Sequence, residues 1–486
     1  MEFIKANSLK KFAKSSESII VFVILELLGL MCFGLGGLNN IYFVVGIIIN
    51  IFSIPFLLIN STKEELKQFC LFLIPFILMS LLICFGSMYK GIGLGFNNLL
   101  SFLALISFVM IGYSARRIKS FKIETALYII GGGLMLVTLI SMLVTWFNYG
   151  LFHAIKYADT PIYYYNGSLF DVTKESSWLL GFSILEVSLQ YSGLFGFLCS
   201  LYLIGLLFIN PKNDIKKFLI FLIIGLVGLI SLITVVNKMA LLLLIPSYII
   251  ALLYRFVPSS KANQKRADIA FIIVMIMVFA GLFVAILNNY VPSVSKIIAS
   301  NRILNKFFNA TYMDEVNVVL SKVFTNGYFF GVPPTLLNGE IITTNTRMFE
   351  AELLKEGGFF ALFFFIVFIV FVYLSLRKYN QRTTDSKLSK IMVISIIFGL
   401  FIYSSLNFDG FYVVHNSGEY HPFFRSLTTL MMLFLVGYSF YPIFKKDVEL
   451  YIDTDEFKRG IIVEDNSEKQ IKKDKDYQFD EDDLNE

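Results

Sequence analysis

Residues 347–376 read "RMFEAELLKEGGFFALFFFIVFIVFVYLSL", and the two parts of this stretch differ sharply in polarity. The first part, residues 347–358, carries one arginine, one lysine and three glutamates, whereas residues 359–376 carry no charge. An apolar run of roughly 18 residues or more is long enough to cross about 30 Å of hydrocarbon as a helix. The stretch therefore predicts a membrane-spanning helix whose charged turns lie at the membrane boundary.

The composition of the whole chain agrees with this interpretation. Apolar residues make up 56% of it, charged residues only 16%, 52 residues are phenylalanine, and the mean hydropathy is +0.71. These values are typical of a polytopic membrane protein. The sequence predicts an all-α transmembrane helix bundle of about twelve spans, near residues 18–37, 41–60, 68–88, 97–113, 124–147, 186–209, 216–235, 239–257, 268–288, 357–376, 390–407 and 424–444.

Lysine and arginine recur in alternate connections between the predicted spans, which marks those connections as cytoplasmic. The basic segments include Lys5, Lys10, Lys11 and Lys14, then Lys63 and Lys67, Arg116 and Arg117, Lys212, Arg255, and Arg377 and Lys378. The pattern predicts a multi-pass protein with both termini in the cytoplasm. Residue usage rich in Ile, Lys, Asn and Phe favours a bacterial source.

Residues 1–444 form the predicted membrane domain, and two of its external segments are too long to be simple turns. They span about 148–178 and 289–356, and the second predicts two helices outside the membrane separated by the turn "NGYFFGVPPTLLNG". Residues 445–486 alternate acids and bases and predict a disordered cytoplasmic tail. Its "DTD" at 453–455 resembles a metal-binding triplet, but about 42 residues cannot bury the core that such a domain needs.

Cations also lie in the second external segment, where the orientation rule predicts few. They include Arg302, Lys306, Lys322, Arg347 and Lys355, and the turn "TVVNKMALL" adds Lys238. For Lys322 and Lys355 we favour ordinary surface charge paired with nearby acids. Arg347 is different, because a cation in the first turn of a helix opposes the helix dipole, and a bound anion would reverse that cost.

The Arg347-to-Gly358 spacing, the helical "NRILNKFFNATYMDEVNVVLSKVF", the turn "NGYFFGVPP" and the closing Glu352, Glu356 and Gly358 resemble the O-antigen and capsular polysaccharide polymerases and the related O-antigen ligases. Ligases usually carry His-Asn where this chain has Arg347 and Met348, which favours a polymerase. Two features depart from the family pattern: residues 148–178 contain no arginine, and Lys238 stands where arginine is commoner.

The resemblance implies a metal-independent glycosyltransferase without a cofactor, acting at the outer face of the cytoplasmic (inner) membrane of a bacterium. A sugar hydroxyl of one lipid-linked oligosaccharide attacks the anomeric carbon of another, and polyprenyl pyrophosphate leaves. Arg347, Arg302 and Lys238 would stabilise the leaving group. The general base stays open among Glu350, Glu340, Asp314 and His421, and Gly358 would let its helix pack closely on entering the bilayer. The expected partners are the lipid-linked substrate, membrane lipids, a flippase and a chain-length regulator, and no nucleic acid.

Two other classes fit the same topology. Twelve spans with cytoplasmic termini also describe flippases and other secondary transporters, although the chain lacks the internal repeats that such folds tend to show. A non-catalytic scaffold that recruits partners through its tail is the third class. Glu26 and Glu186 lie in or near predicted hydrocarbon, where they would line a substrate path or join two helices by a hydrogen bond.

Overall fold

The computed structural model describes residues 15–35, 40–58, 63–90, 92–118, 120–126, 291–300, 349–383, 385–406 and 422–444, with shorter pieces between 178 and 287 and at 330–331. The helices in these ranges are α1 (Ser16–Leu35), α2 (Asn40–Leu58), α3 (Lys63–Lys90), α4 (Ile92–Ala115), α5 (Pro292–Ser300), α6 (Phe349–Arg382), α7 (Lys387–Leu406) and α8 (Pro422–Tyr438). The described part is helical apart from one short antiparallel ladder, in which β1 (Trp178–Leu179) pairs with β2 (Phe182–Ser183).

Helices α1 to α4 and α6 to α8 coincide, within a few residues, with seven of the spans expected from the sequence. Among the described residues, two helices are long and apolar enough to cross a membrane, Lys63–Gly86 in α3 and Leu353–Arg382 in α6. The remaining predicted spans lie wholly or largely outside the described residues, so a total of twelve stays a prediction. The predicted tail, 445–486, and the external segment 148–178, apart from its last residue, also lie outside them.

Phenylalanines on one face of α3 form the centre of the core. Phe69, Phe72 and Phe76 are fully buried, and their spacing places them on one side of a helix. The ring of Phe76 lies 5.0 Å from that of Phe368 in α6, and the ring of Phe69 lies 4.2 Å from that of Tyr113 in α4. Aromatic pairs at these separations add about 0.5–1.5 kcal/mol to the free energy of burial. The face of α3 therefore joins α4 to α6.

Helices α4 and α8 run parallel, since both end beside Arg116 and Phe440, and they touch through their backbones. A Cβ atom on Gly112 of α4 would overlap the carbonyl oxygen of Phe434 in α8. The reverse holds at Gly437 of α8, where a Cβ atom would overlap the carbonyl oxygen of Val109. Small residues at such crossings allow the close backbone approach that packs helices in membranes.

At one end of the bundle, basic side chains connect α3, α4 and α8; we call this the Arg117 end. Arg117 Nη2 lies 2.9 Å from Glu65 Oε1 near the start of α3, and both side chains are buried. The Arg116 guanidinium lies 3.8 Å from the centre of the Tyr441 ring and donates a 2.7 Å hydrogen bond to the carbonyl of Phe440. Charge-assisted bonds of this length hold the helix ends together.

The same end also ties α6, α7 and α8 to each other. The Tyr379 hydroxyl donates a 2.7 Å hydrogen bond to Asp385 Oδ2, and the Tyr438 hydroxyl donates a 3.3 Å bond to the same oxygen. Lys378 Nζ donates a 2.6 Å bond to the carbonyl of Pro442. Four basic residues expected as cytoplasmic loop charges, Arg116, Arg117, Arg377 and Lys378, thus lie at one end of the bundle, and three of them make these contacts.

Replacement of Gly112 by alanine tests the backbone contact between α4 and α8. The added methyl group would overlap a carbonyl rather than a flexible side chain, so we expect Gly112→Ala to lower the free energy of unfolding by about 1–3 kcal/mol. Gly225→Ala is the matched control, because its Cβ atom would meet only side-chain atoms, the nearest at 3.5 Å. Thermal unfolding of both variants in detergent is the measurement. Equal midpoints for the two variants would contradict the packing.

Candidate functional site

The opposite end of the bundle, which we call the Gly86 end, contains the charged turns that begin α6. It is formed by Gly86 near the end of α3, the turn at Phe330–Gly331 and residues 349–358 of α6. Glu350, Lys355 and Glu356 are each at most 1% exposed. Among the described residues, this segment therefore places three buried charged side chains within two turns of one helix.

Lys355 and Glu356 form a buried ion pair. Lys355 Nζ lies 3.5 Å from Glu356 Oε1, and each side chain is 1% exposed. Neighbours in a helix do not face each other, so the pair requires both side chains to bend towards a common space. Its separation is also longer than the roughly 2.7–2.9 Å of a good charge-assisted hydrogen bond. Burying two charges is costly, so the position of this pair calls for an explanation.

Helix α6 is broken directly after this pair. Gly358 has φ 67° and ψ −163°, a backbone conformation that is open essentially only to glycine. The break divides α6 into a polar helix, Phe349 to Gly357, and an apolar helix from Phe359 to Arg382. Each new helix end leaves backbone groups without their partners within the helix. The break therefore presents carbonyl and N–H groups next to the buried charges.

Glycines hold the polar half of α6 in place from two sides. A Cβ atom on Gly86 of α3 would overlap the carbonyl oxygen of Glu356. Gly331 has φ 108°, and a Cβ atom there would lie 2.5 Å from the carbonyl oxygen of Glu356 and 3.1 Å from that of Lys355. The ring of Phe330 beside it packs 5.1 Å from that of Phe360. The backbone of the ion pair is thus positioned by α3 and by the turn as well as by its own helix.

One expectation from the sequence is wrong at this end. Lys355 is not a surface charge, because it is 1% exposed and paired with Glu356. The structure adds that Gly358 breaks the helix through its positive φ, and that Gly86 makes a close contact between α3 and α6.

Most of the site residues expected from the sequence lie outside the described residues. These are Arg347, Arg302, Lys238, Glu340 and His421, together with Asp314 and Glu186. The structure therefore brings Glu350 and Gly358 into one segment and leaves the other assignments as predictions. Arg347 precedes the first residue of α6 by two positions in the sequence, so its expected place in the first turn of a helix stays a prediction.

Glu26 lies on a helix–helix contact. It is fully buried in α1, as is Asn50 in α2. A Cβ atom on Gly29 would lie 3.1 Å from Asn50 Oδ1, and Glu26 shares the face of Gly29 because it is three residues earlier. Of the two roles considered for Glu26, this position favours a polar contact between helices over the lining of a substrate path.

Sequence reasoning missed Gly86 and the function of Gly331. Gly331 lies in the "NGYFFGVPP" turn, whose glycine and proline content signalled a turn but not its contact with α6. Gly86 lies within an apolar run and carries no local signal. No family model, curated protein or solved structure matches this chain. The resemblance to the polysaccharide polymerases therefore stays a prediction.

Replacement of Gly358 by alanine tests the helix break. A side chain disfavours the observed backbone conformation by about 1–3 kcal/mol, so we expect Gly358→Ala to lower the unfolding midpoint. Gly225→Ala makes the same chemical change in helical backbone and should not lower the midpoint, because alanine favours helix. A Gly358→Ala variant as stable as the wild type would show that the continuous helix is equally acceptable.

Proposed function

We propose that this protein is a polysaccharide polymerase of the bacterial cytoplasmic membrane. It joins polyprenyl-pyrophosphate-linked oligosaccharide units into a surface polysaccharide at the outer face. In this proposal the Gly86 end is the outer, reactive end, and the Arg117 end faces the cytoplasm.

The observation that carries the proposal is the spacing of two charged ends along one apolar helix. Glu65 at the Arg117 end and Gly86 at the other end are twenty-one residues apart in α3. At about 1.5 Å per residue this is about 31 Å, close to the thickness of the hydrocarbon layer. In this proposal the buried charges at the two ends lie at the two membrane boundaries, and the long apolar segment of α6 crosses the membrane between them.

The outward surface of α1 and α2 supports a membrane environment. Large apolar side chains on these helices are exposed, with Ile20 60% exposed and Phe52 66% exposed. Others with more than a third of their surface exposed are Val21, Ile24, Leu28, Ile41, Val44, Val45, Ile48 and Ile51. Apolar patches of this extent are uncommon on soluble monomers, whereas lipid covers them without cost.

The reaction requires cations where the pyrophosphate leaves and a base near the attacking hydroxyl. Arg347, Arg302 and Lys238 supply the cations in this proposal, and Arg347 precedes the first residue of α6 by two positions in the sequence. Glu350 lies in the first turn of α6 and is fully buried. Burial places its carboxylate away from bulk water, and it accepts the hydroxyl proton as the acceptor oxygen attacks the anomeric carbon.

A transporter or flippase is the second candidate, and the break at Gly358 favours it. Secondary transporters bind substrates at helices interrupted within the membrane, where helix ends face the ligand. The break in α6 has this form, because the apolar half begins directly after it. A flippase would move the lipid-linked unit across the membrane without joining it to another.

One assay separates the two candidates. Purified protein in vesicles is given lipid-linked repeat units alone, and the products are resolved by size. We expect a ladder of longer lipid-linked chains, because the polymerase needs no other substrate. Unchanged single units that become accessible on the opposite leaflet would favour the flippase and contradict the polymerase.

Substitution of Arg347 tests the site. We expect Arg347→Ala to stop elongation and leave single lipid-linked units, because the leaving group loses a charge-assisted partner worth about 2–4 kcal/mol, or roughly a 30- to 1,000-fold loss in rate. Arg347→Lys should recover only part of the rate, since an ammonium lacks the planar fork of donors. The size ladder of each variant is compared at equal membrane abundance. A wild-type ladder from Arg347→Ala would remove this residue from the mechanism.

A further inference from the structure

The buried ion pair of Lys355 and Glu356 has no part in the mechanism proposed above. Its 3.5 Å separation and complete burial make it an expensive feature at the end of an apolar helix. Charged groups at such depth are retained mainly where they act on a substrate or an ion. The pair lies within three residues of the break at Gly358, so a ligand at the start of the apolar half of α6 would be close to it.

Tertiary packing fixes the backbone of Lys355 and Glu356, whereas the Lys355 side chain is long and flexible. Gly86 and Gly331 contact the carbonyls of Glu356 and Lys355 from two directions, so this turn of α6 is fixed by tertiary packing. The lysine ammonium ends a flexible four-carbon stem and changes partner with a small rotation. Directly after the pair, the apolar half of α6 begins, and its first N–H groups favour an anion.

The Glu356 carboxylate determines which anion can replace it as the partner of the Lys355 ammonium. An incoming group must attract Lys355 more strongly than Glu356 does, and it must tolerate the negative charge of Glu356 nearby. A pyrophosphate meets the first requirement better than a monophosphate, because it carries more charge and more acceptor oxygens. The pair would therefore select pyrophosphate against monophosphate.

We propose that Lys355 leaves Glu356 to bind the pyrophosphate of the lipid-linked donor, and that the Lys355–Glu356 pair makes the Gly86 end selective for pyrophosphate over monophosphate. This inference rests on the proposed function, since it adds a binding residue to the same site. It also predicts opposite effects for the two members of the pair. Loss of Lys355 removes a ligand contact, whereas loss of the Glu356 charge removes a competitor.

The experiment measures binding to the full-length purified protein in nanodiscs. The probes are farnesyl pyrophosphate, farnesyl monophosphate, farnesol and inorganic pyrophosphate. We expect Lys355→Met to weaken farnesyl pyrophosphate binding about 10- to 100-fold and farnesyl monophosphate binding much less. Glu356→Gln should tighten farnesyl pyrophosphate binding several-fold, and the double variant should bind like Lys355→Met.

Glu65→Gln is the matched control, because it makes the same isosteric change in the buried ion pair at the opposite end of α3. We expect it to leave the affinity for farnesyl pyrophosphate unchanged. If Lys355→Met does not fold, the direction of the change in farnesyl pyrophosphate affinity in Glu356→Gln tests the inference. A purely structural ion pair predicts weaker or equal binding in that variant. Weaker or unchanged binding in Glu356→Gln overturns the inference and leaves the polymerase proposal standing.

The other probes separate the possible ligands. Farnesol that binds as tightly as farnesyl pyrophosphate would show that the lipid chain alone is recognised, which overturns the inference. Inorganic pyrophosphate that binds as tightly would make the free anion the ligand, which overturns the assignment to a lipid-linked donor. A wild-type protein that binds none of the probes overturns both this inference and the proposed function.

Discussion

Direct contact between helix backbones at glycine is the constraint on which the described bundle depends. Gly86 lies against the carbonyl of Glu356, and Gly112 and Gly437 each lie against a carbonyl of the facing helix. At these separations even one methyl group would overlap backbone atoms, which cannot rotate away as a side chain can. The close approach of α3 to α6 also brings the phenylalanines of α3 within about 5–6 Å of Phe368.

The two ends of the bundle use charge in different ways. At the Arg117 end the polar contacts are short, with 2.9 Å between Arg117 and Glu65 and 2.6 Å between Lys378 and the carbonyl of Pro442. Such geometry offsets much of the cost of burial and suits a permanent connection. At the Gly86 end the Lys355–Glu356 pair is longer, at 3.5 Å, and lies beside a break in the helix.

The break at Gly358 explains how one helix serves two environments. A continuous helix would carry the register of its apolar half into residues 349–357, whereas the positive φ of Gly358 frees the polar half to follow α3 and the turn at Gly331. Glu350, Lys355 and Glu356 can then be buried within the protein. Both candidate functions need this arrangement, because a polymerase and a flippase each handle a charged lipid headgroup at a membrane boundary.

The sequence by itself determined the helical class, the positions of the apolar helices and the charged start of α6. These features follow from local composition and length, which depend on hydrophobicity averaged over about 20 residues. Only the tertiary structure decided that Lys355 is buried, that Gly358 breaks the helix and that Gly86 contacts Glu356. Gly86 and Glu356 are far apart in the chain. The identity of a lysine or a glycine does not indicate whether another helix packs against it. Burial and backbone conformation arise from the neighbours that packing supplies, so no local pattern could encode them.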